Sequence, residues 1–234
     1  MEKKELRIAT YQLREDLNLG RDTPIHDVKM IIDKMGHAYI EKAFGDQIAG
    51  FSVEVGPKKY LIGFNNELKH TQQFKRFTLA HEIAHVYLPE HQKILSGGPV
   101  HRSVVEFAST ETIEKEADYF AANLLAPIKG VSEIIEKEAF SLRGINSIAI
   151  KYNISILSAA IRGLEATRSA AYFISVSKDS KKVSFFYSTR SAQRLNLKNE
   201  TCMSREDIAN LIGHDFKIEF FEASISIFYI CCKD

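Results

Sequence analysis

From Gln72 to Leu88 the chain runs without an internal Gly or Pro, between Thr71, which suits an N-cap, and Pro89, which suits a stop. That stretch is expected to form one helix. Inside it His81, Glu82 and His85 stand in the order His-Glu-Ile-Ala-His. At about 100° per residue the two imidazoles lie about 40° apart around the axis, on one face and one turn apart. Two imidazoles so placed can grip one divalent cation. Glu82 falls to the flank of that face, where it can reach a water on the ion without ligating the ion itself.

A catalytic zinc site takes three protein ligands and keeps a fourth position open, so the zincin pattern of two His plus a carboxylate requires an Asp or Glu on a later helix. The run from Glu111 to Leu125 is expected to be that helix, with Phe120, Ala121, Leu124 and Leu125 as its apolar stripe and Pro127 ending it. Its acids are Glu111, Glu114, Glu116 and Asp118. Glu114 and Asp118 share a face at i, i+4, so the first can bind the metal while the second hydrogen-bonds and orients a histidine ring. Glu111 and Glu116 are expected to be solvated acids favoured by the helix dipole.

The two stretches FTLAHEIAHVYL (residues 77–88) and EKEADYFAANLLAP (residues 114–127) together resemble the ImmA/IrrE family of metallopeptidases. Its pattern is similar to F-x-x-A-H-E-x-x-H followed by E-x-[QE]-A-[ND]-x-F-A-x-x-L-L-x-P. The resemblance extends over roughly residues 5 to 165, is strongest from 48 to 128, and includes the hairpin-like GFSVEVGPKKYLIGFN (residues 50–65). It implies that Glu114 is the third metal ligand. Ala126 stands where Met is usual, a departure expected to alter packing alone. The resemblance also implies a substrate class: helix-turn-helix repressors in phage, mobile-element or stress-response control.

With 31 basic and 30 acidic residues, and a formal net charge of +1, the chain lacks the electrostatic footprint of a nucleic-acid binder. Lys58-Lys59 and Lys181-Lys182 are expected in solvated hairpin turns. Three cysteines, two of them adjacent at Cys231 and Cys232, form no disulfide framework and no ligand pair. No apolar run approaches the ~20 residues that a membrane span needs, and the start has no hydrophobic signal core. A cytoplasmic protein with no membrane association is expected.

Asp22-Thr23-Pro24 reads as a cap and first-turn Pro for a helix through Val28, Ile31, Ile32 and Met35, with Gly36 as its stop. Strands are expected around Tyr39-Ile40, over Ile48 to Val55 and over Tyr60 to Phe64, the last two joined around Gly56-Pro57. The linker from Glu90 to Ser109, with its Gly97-Gly98-Pro99 turn, is a candidate mobile rim that could gate the site. His91, His101, Tyr87 and Tyr119 are candidate oxyanion donors, though packing or surface roles are expected for each. His37 and His70 are expected to be surface or capping histidines.

Residues 144–166 break at Tyr152-Asn153 into two short helices, with Asn146 and Ser155 as caps. Their outline resembles a helix-turn-helix, but the second carries a single basic residue, Arg162, so a structural role is expected. From Ala171 the pattern turns to β: two strands about a turn at 178–182, a helix capped by Ser204 and Asp207, and a terminal strand over residues 224–232. The expected fold is α+β, a zincin-like metallopeptidase core of small sheet and active-site helices with a C-terminal α+β appendage. Its domains are residues 1–168, including helices at 131–166, and a β-rich region, 169–234, of unassigned role.

The expected function is that of a zinc-dependent endopeptidase acting on a regulatory protein. Zn2+, with Mn2+ as the alternative, is held by His81, His85 and Glu114; Glu82 is the general base toward a metal-activated water; Asp118 orients a ligand histidine. The alternative from another class is a non-proteolytic regulatory or toxin-antitoxin binding protein with a structural metal site.

Overall fold

The structure, a computed structural model, describes residues 1–45, 48–67, 71–97, 101–104, 112–197, 200–202 and 204–233. It is α+β and forms two compact units, Met1–Pro127 with Tyr152–Ile154, and Ile128–Lys151 with Ser155–Asp234. The helices between 131 and 166 thus fall with the C-terminal sheet, Tyr152–Ile154 apart.

The first unit runs α1 (Lys3–Asp16), α2 (Lys29–Lys34), β1 (Ala38–Lys42), β2 (Ile48–Gly56), β3 (Lys59–Asn65), α3 (Gln72–Tyr87), α4 (Pro89–Gly97), β4 (His101–Val104) and α5 (Thr112–Leu125). Its strands lie in the order β1-β3-β2-β4, with β1 parallel to β3 and the other pairs antiparallel. The β2–β3 hairpin turns through Lys58 at φ 56°, as Gly56-Pro57 foreshadowed. Helix α3 packs on β2 and β3 with one side and on α5 with another, and α5 in turn packs on α1. Residues Thr78 to Val86 are consequently all buried. A helix covered all round has no wet face for His81, Glu82 and His85, so each must find partners inside the protein.

Thr71 caps α3 as expected, its hydroxyl accepting from the Phe74 amide at 3.2 Å. Pro89 ends one helix and opens the next, at the position where its missing N–H costs nothing. The expected helix from Pro24 begins only at Lys29. Carbonyls at and just before the expected start are taken by buried guanidinium groups: Arg14 donates to Thr23 O and to Gly20 O (2.9 Å), and Arg76 donates to Ile25 O. Arg14 also reaches Leu124 O (2.6 Å) and Arg76 reaches Tyr152 O (3.0 Å), so each arginine ties distant segments to the helix that carries it. The linker after α3 is not a simple rim: α4 and β4 occupy much of it, and β4 extends the sheet beyond β2. The Gly98-Pro99 part of its turn, residues 105–110, His70 and Glu111 lie outside the described residues, as does the side chain of His101.

The second unit holds α6 (Ile128–Glu138), α7 (Leu142–Tyr152, its last residue counted with the first unit), α8 (Ile156–Ala166), β5 (Ala171–Ser177), β6 (Val183–Ser188), α9 (Arg205–Ile212), β7 (Lys217–Glu222) and β8 (Ser226–Cys232). Its sheet is antiparallel in the order β6-β5-β8-β7. Tyr172, Ile174, Val176, Ile218, Tyr229 and Cys231 share a core with Ile208 and Ile212 of α9. Ser155 caps α8 and Ser204 with Asp207 forms the expected capping box. Asn146 is no cap: α7 starts at Leu142, where the Ser141 hydroxyl accepts from the Gly144 amide at 3.1 Å. Arg162 is buried at 1% exposure and pairs with Glu165, which removes it as a phosphate contact. Strand β7 was not anticipated, since FFE at its end lacks clean alternation. Among the described residues no helix is long and apolar enough to cross a membrane.

Candidate metal centre

His81 and His85 point their Nε2 atoms at one place, 3.0 Å apart. Glu114, from the first turn of α5, brings Oε2 to 3.2 Å from His81 Nε2 and Oε1 to 3.5 Å from His85 Nε2. Their ligand atoms all lie within 4.8 Å of one another. A tetrahedral ion with bonds of about 2.0–2.1 Å spaces its ligands roughly 3.4 Å apart, so the donors are set for a small cation. Two imidazoles suit zinc and its transition-metal neighbours better than calcium, which takes six to eight oxygens.

The remaining ring nitrogens are held from behind. Asp118 Oδ1 lies 2.9 Å from His81 Nδ1, on the face of α5 that Glu114 also occupies. Burial opposes a charge on His81, but the hydrogen bonds to Asp118 and Glu114 outweigh it and raise its pKa to about 9 in the metal-free chain. A metal must therefore displace a proton from this ring.

Glu82 is fully buried, and Ser52 of β2 donates its hydroxyl to Glu82 Oε2 at 2.5 Å. Gly50, two residues earlier on the same strand, is where α3 comes closest: a Cβ built there would lie 2.8 Å from Thr78 Cγ2 and 3.0 Å from Glu82 Oε1. Small residues at two successive inward positions of β2 were the sequence sign of this close approach, and Ser52 was missed.

His91 and Glu116 also depart from expectation. His91 is 1% exposed, with Nδ1 at 3.1 Å from His85 Nδ1 and Nε2 at 3.1 Å from Glu116 Oε2. Glu116 is buried rather than solvated, because α5 is sandwiched between α1 and α3 and has little free surface at this turn. Burial opposes its ionisation, yet hydrogen bonds from the Met1 amino group and His91 outweigh that and hold its carboxyl below the usual range. Burial also holds His91 below the usual histidine value, against the pull of Glu116. The other oxyanion candidates have packing partners, Tyr87 against Phe120 and Tyr119 beneath Lys3. His37 stands edge-on to Tyr60, half-buried.

The family described as Peptidase_M78, IrrE N-terminal-like domain, matches residues 32–163. No curated protein matches the chain. Among solved structures, a Mycobacterium tuberculosis transcriptional regulator superposes with a TM-score of 0.58 at 14% identity, covering 98% of this chain and 76% of that one. At that identity the likeness concerns the fold.

Proposed function

The chain belongs to the Peptidase_M78 family, the IrrE N-terminal-like metallopeptidases, and on that premise we propose that it is a metal-dependent endopeptidase that cuts a regulatory protein. The observation that carries the reading is the convergence of His81, His85 and Glu114 beside a buried carboxylate, Glu82, that is not one of the three. A divalent cation held by such a donor set supplies Lewis acidity, lowering the pKa of water toward about 7 and polarising a peptide carbonyl. Zinc is the expected ion, with manganese as the alternative. Glu82 takes the proton from the attacking water and returns it to the departing amine, while Ser52 keeps its carboxylate in place. Asp118 holds the His81 ring so that Nε2 faces the donor cluster.

The substrate is a helix-turn-helix repressor in this reading. The family resemblance suggests that class. In this reading the peptidase domain is residues 1–168, a span suggested by the family match over 32–163 although the helices after Pro127 cluster with the C-terminal sheet, and 169–234 form the appendage. Three free thiols fit a reducing, cytoplasmic setting.

The test compares newly created protein N-termini in host cells expressing the wild type or Glu82→Gln at matched levels. Glu82-dependent cuts concentrated in one DNA-binding repressor are the expected result. Identical N-termini in the two strains, with metal bound and the inducing signal present, would transfer the reading to a binding protein with a structural metal site.

A further inference from the structure

With His85 serving as a metal ligand through Nε2, the side chains behind it admit one consistent pattern of hydrogen bonds. A His85 that presents the Nε2 lone pair toward His81 and Glu114 carries its proton on Nδ1. That Nδ1 lies 3.1 Å from His91 Nδ1, and two ring nitrogens at this distance share a single proton, so His91 Nδ1 accepts. His91 then carries its own proton on Nε2, where Glu116 Oε2 accepts it at 3.1 Å. All three side chains are out of water: His85 and His91 are each 1% exposed and the Glu116 side chain 10%.

We propose that His91 and Glu116 are positioning residues of the metal centre, a relay that fixes the tautomer and ring plane of His85. They do for His85 through one intervening imidazole what Asp118 does directly for His81. The physical reason for the extra link is reach. Glu114 and Asp118 share the α5 face that meets His81, whereas Glu116 lies round the helix from them and is linked to His85 through the ring that α4 supplies. The two His rings sit 5.0 Å apart at 38°, so they are also packed as a pair and a rotation of one displaces the other. Removing His91 leaves the His85 N–H without this acceptor in a dry site and frees the ring to turn its Nε2 away from the donor cluster.

This inference rests on the metal-centre reading, and the experiment separates the two. The full chain, stripped of metal, is titrated with Co2+ against a competing chelator. Affinity and visible absorption bands are recorded for the wild type, His81→Ala, His91→Phe, His91→Gln and Glu116→Gln, alongside the melting temperature of each metal-free protein. His91→Phe keeps a ring but no acceptor, and should bind Co2+ about 10–100-fold more weakly with shifted bands. His91→Gln, whose amide offers one acceptor and one donor, should recover much of the affinity, and Glu116→Gln should fall between. Wild-type affinity and bands in His91→Phe, even with a lowered melting temperature, would reduce His91 to packing and overturn the proposal. If His91→Phe does not fold, Glu116→Gln decides: weaker Co2+ binding at an unchanged metal-free melting temperature supports the relay, and unchanged binding overturns it. A wild type that takes up no Co2+ dependent on His81 would overturn the metal centre itself.

Discussion

Gly50→Ala should damage the site through the fold. An added methyl would sit 2.8 Å from Thr78 Cγ2, 3.0 Å from Glu82 Oε1 and 3.1 Å from Gly63 O. Carbon pairs rest at about 3.5–4.0 Å, so the Thr78 contact alone demands a retreat of roughly 0.7 Å. The Gly63 carbonyl belongs to β3, the neighbouring strand of the sheet, and cannot yield, so α3 must move and carry Glu82, His81 and His85 with it. Overpacking of this kind costs about 1–3 kcal/mol. At a few degrees per kcal/mol for a domain of this size, the metal-free melting temperature should fall by on the order of 4–12 °C. A shift approaching 1 Å in a catalytic group costs on the order of 100-fold in rate, which cleavage of the substrate found from the N-termini would read. Gly63→Ala is the control. The three atoms nearest its added Cβ all belong to the Phe51 ring, which is half-buried and packs edge-on to Phe44 at 4.9 Å. That ring can swing aside without moving α3, so Gly63→Ala should lose some stability and keep its cleavage rate within a few-fold. Unchanged melting and cleavage in Gly50→Ala, or an equal loss of cleavage in Gly63→Ala, would refute the reasoning.

Ser52→Ala removes a hydrogen bond to a buried carboxylate, worth about 1.5–3 kcal/mol, so kcat/KM should drop roughly 10- to 150-fold with metal content unchanged; activity within twofold of wild type would release Ser52 from its role. Because His81 in the metal-free chain is raised from 6.5 to about 9, its contribution to stability is whole below pH 6.5 and is lost as pH rises through 9. The metal-free melting temperature should therefore fall over that window while zinc affinity rises, and Asp118→Asn should flatten both trends; parallel slopes in the variant would contradict the assignment. Cys202 is buried with its thiol pushed up to about 11, and burial raises Cys231 further, whereas Cys232 is half-buried. A thiol reagent at pH 8 should label Cys232 in the native chain and the other two only on unfolding, as mass spectrometry of the labelled peptides would report.

Much of the site could be read locally. The i, i+4 spacing of His81 and His85, a helix with Thr71 as its cap, and the shared face of Glu114 and Asp118 are properties of single helices, and each is written in consecutive residues. The hairpin of β2 and β3 and the capping box at Ser204 were legible for the same reason. The misplaced start of α2 was not, because the competitors for its carbonyls, Arg14 and Arg76, come from two other helices.

The sequence by itself determined the chemistry of the donor set and the helices that bear it, since helical periodicity depends on neighbours a few residues apart. Tertiary structure alone decided what stands behind those donors. Ser52 reaches Glu82 across 30 positions because α3, buried on every side near its end, must satisfy its polar groups from whatever element covers it, and Glu116 reaches His91 across 25 because α4 and α5 bring buried polar side chains together behind His85. Spacing in the chain carries no record of such meetings, because they depend on how separate elements pack.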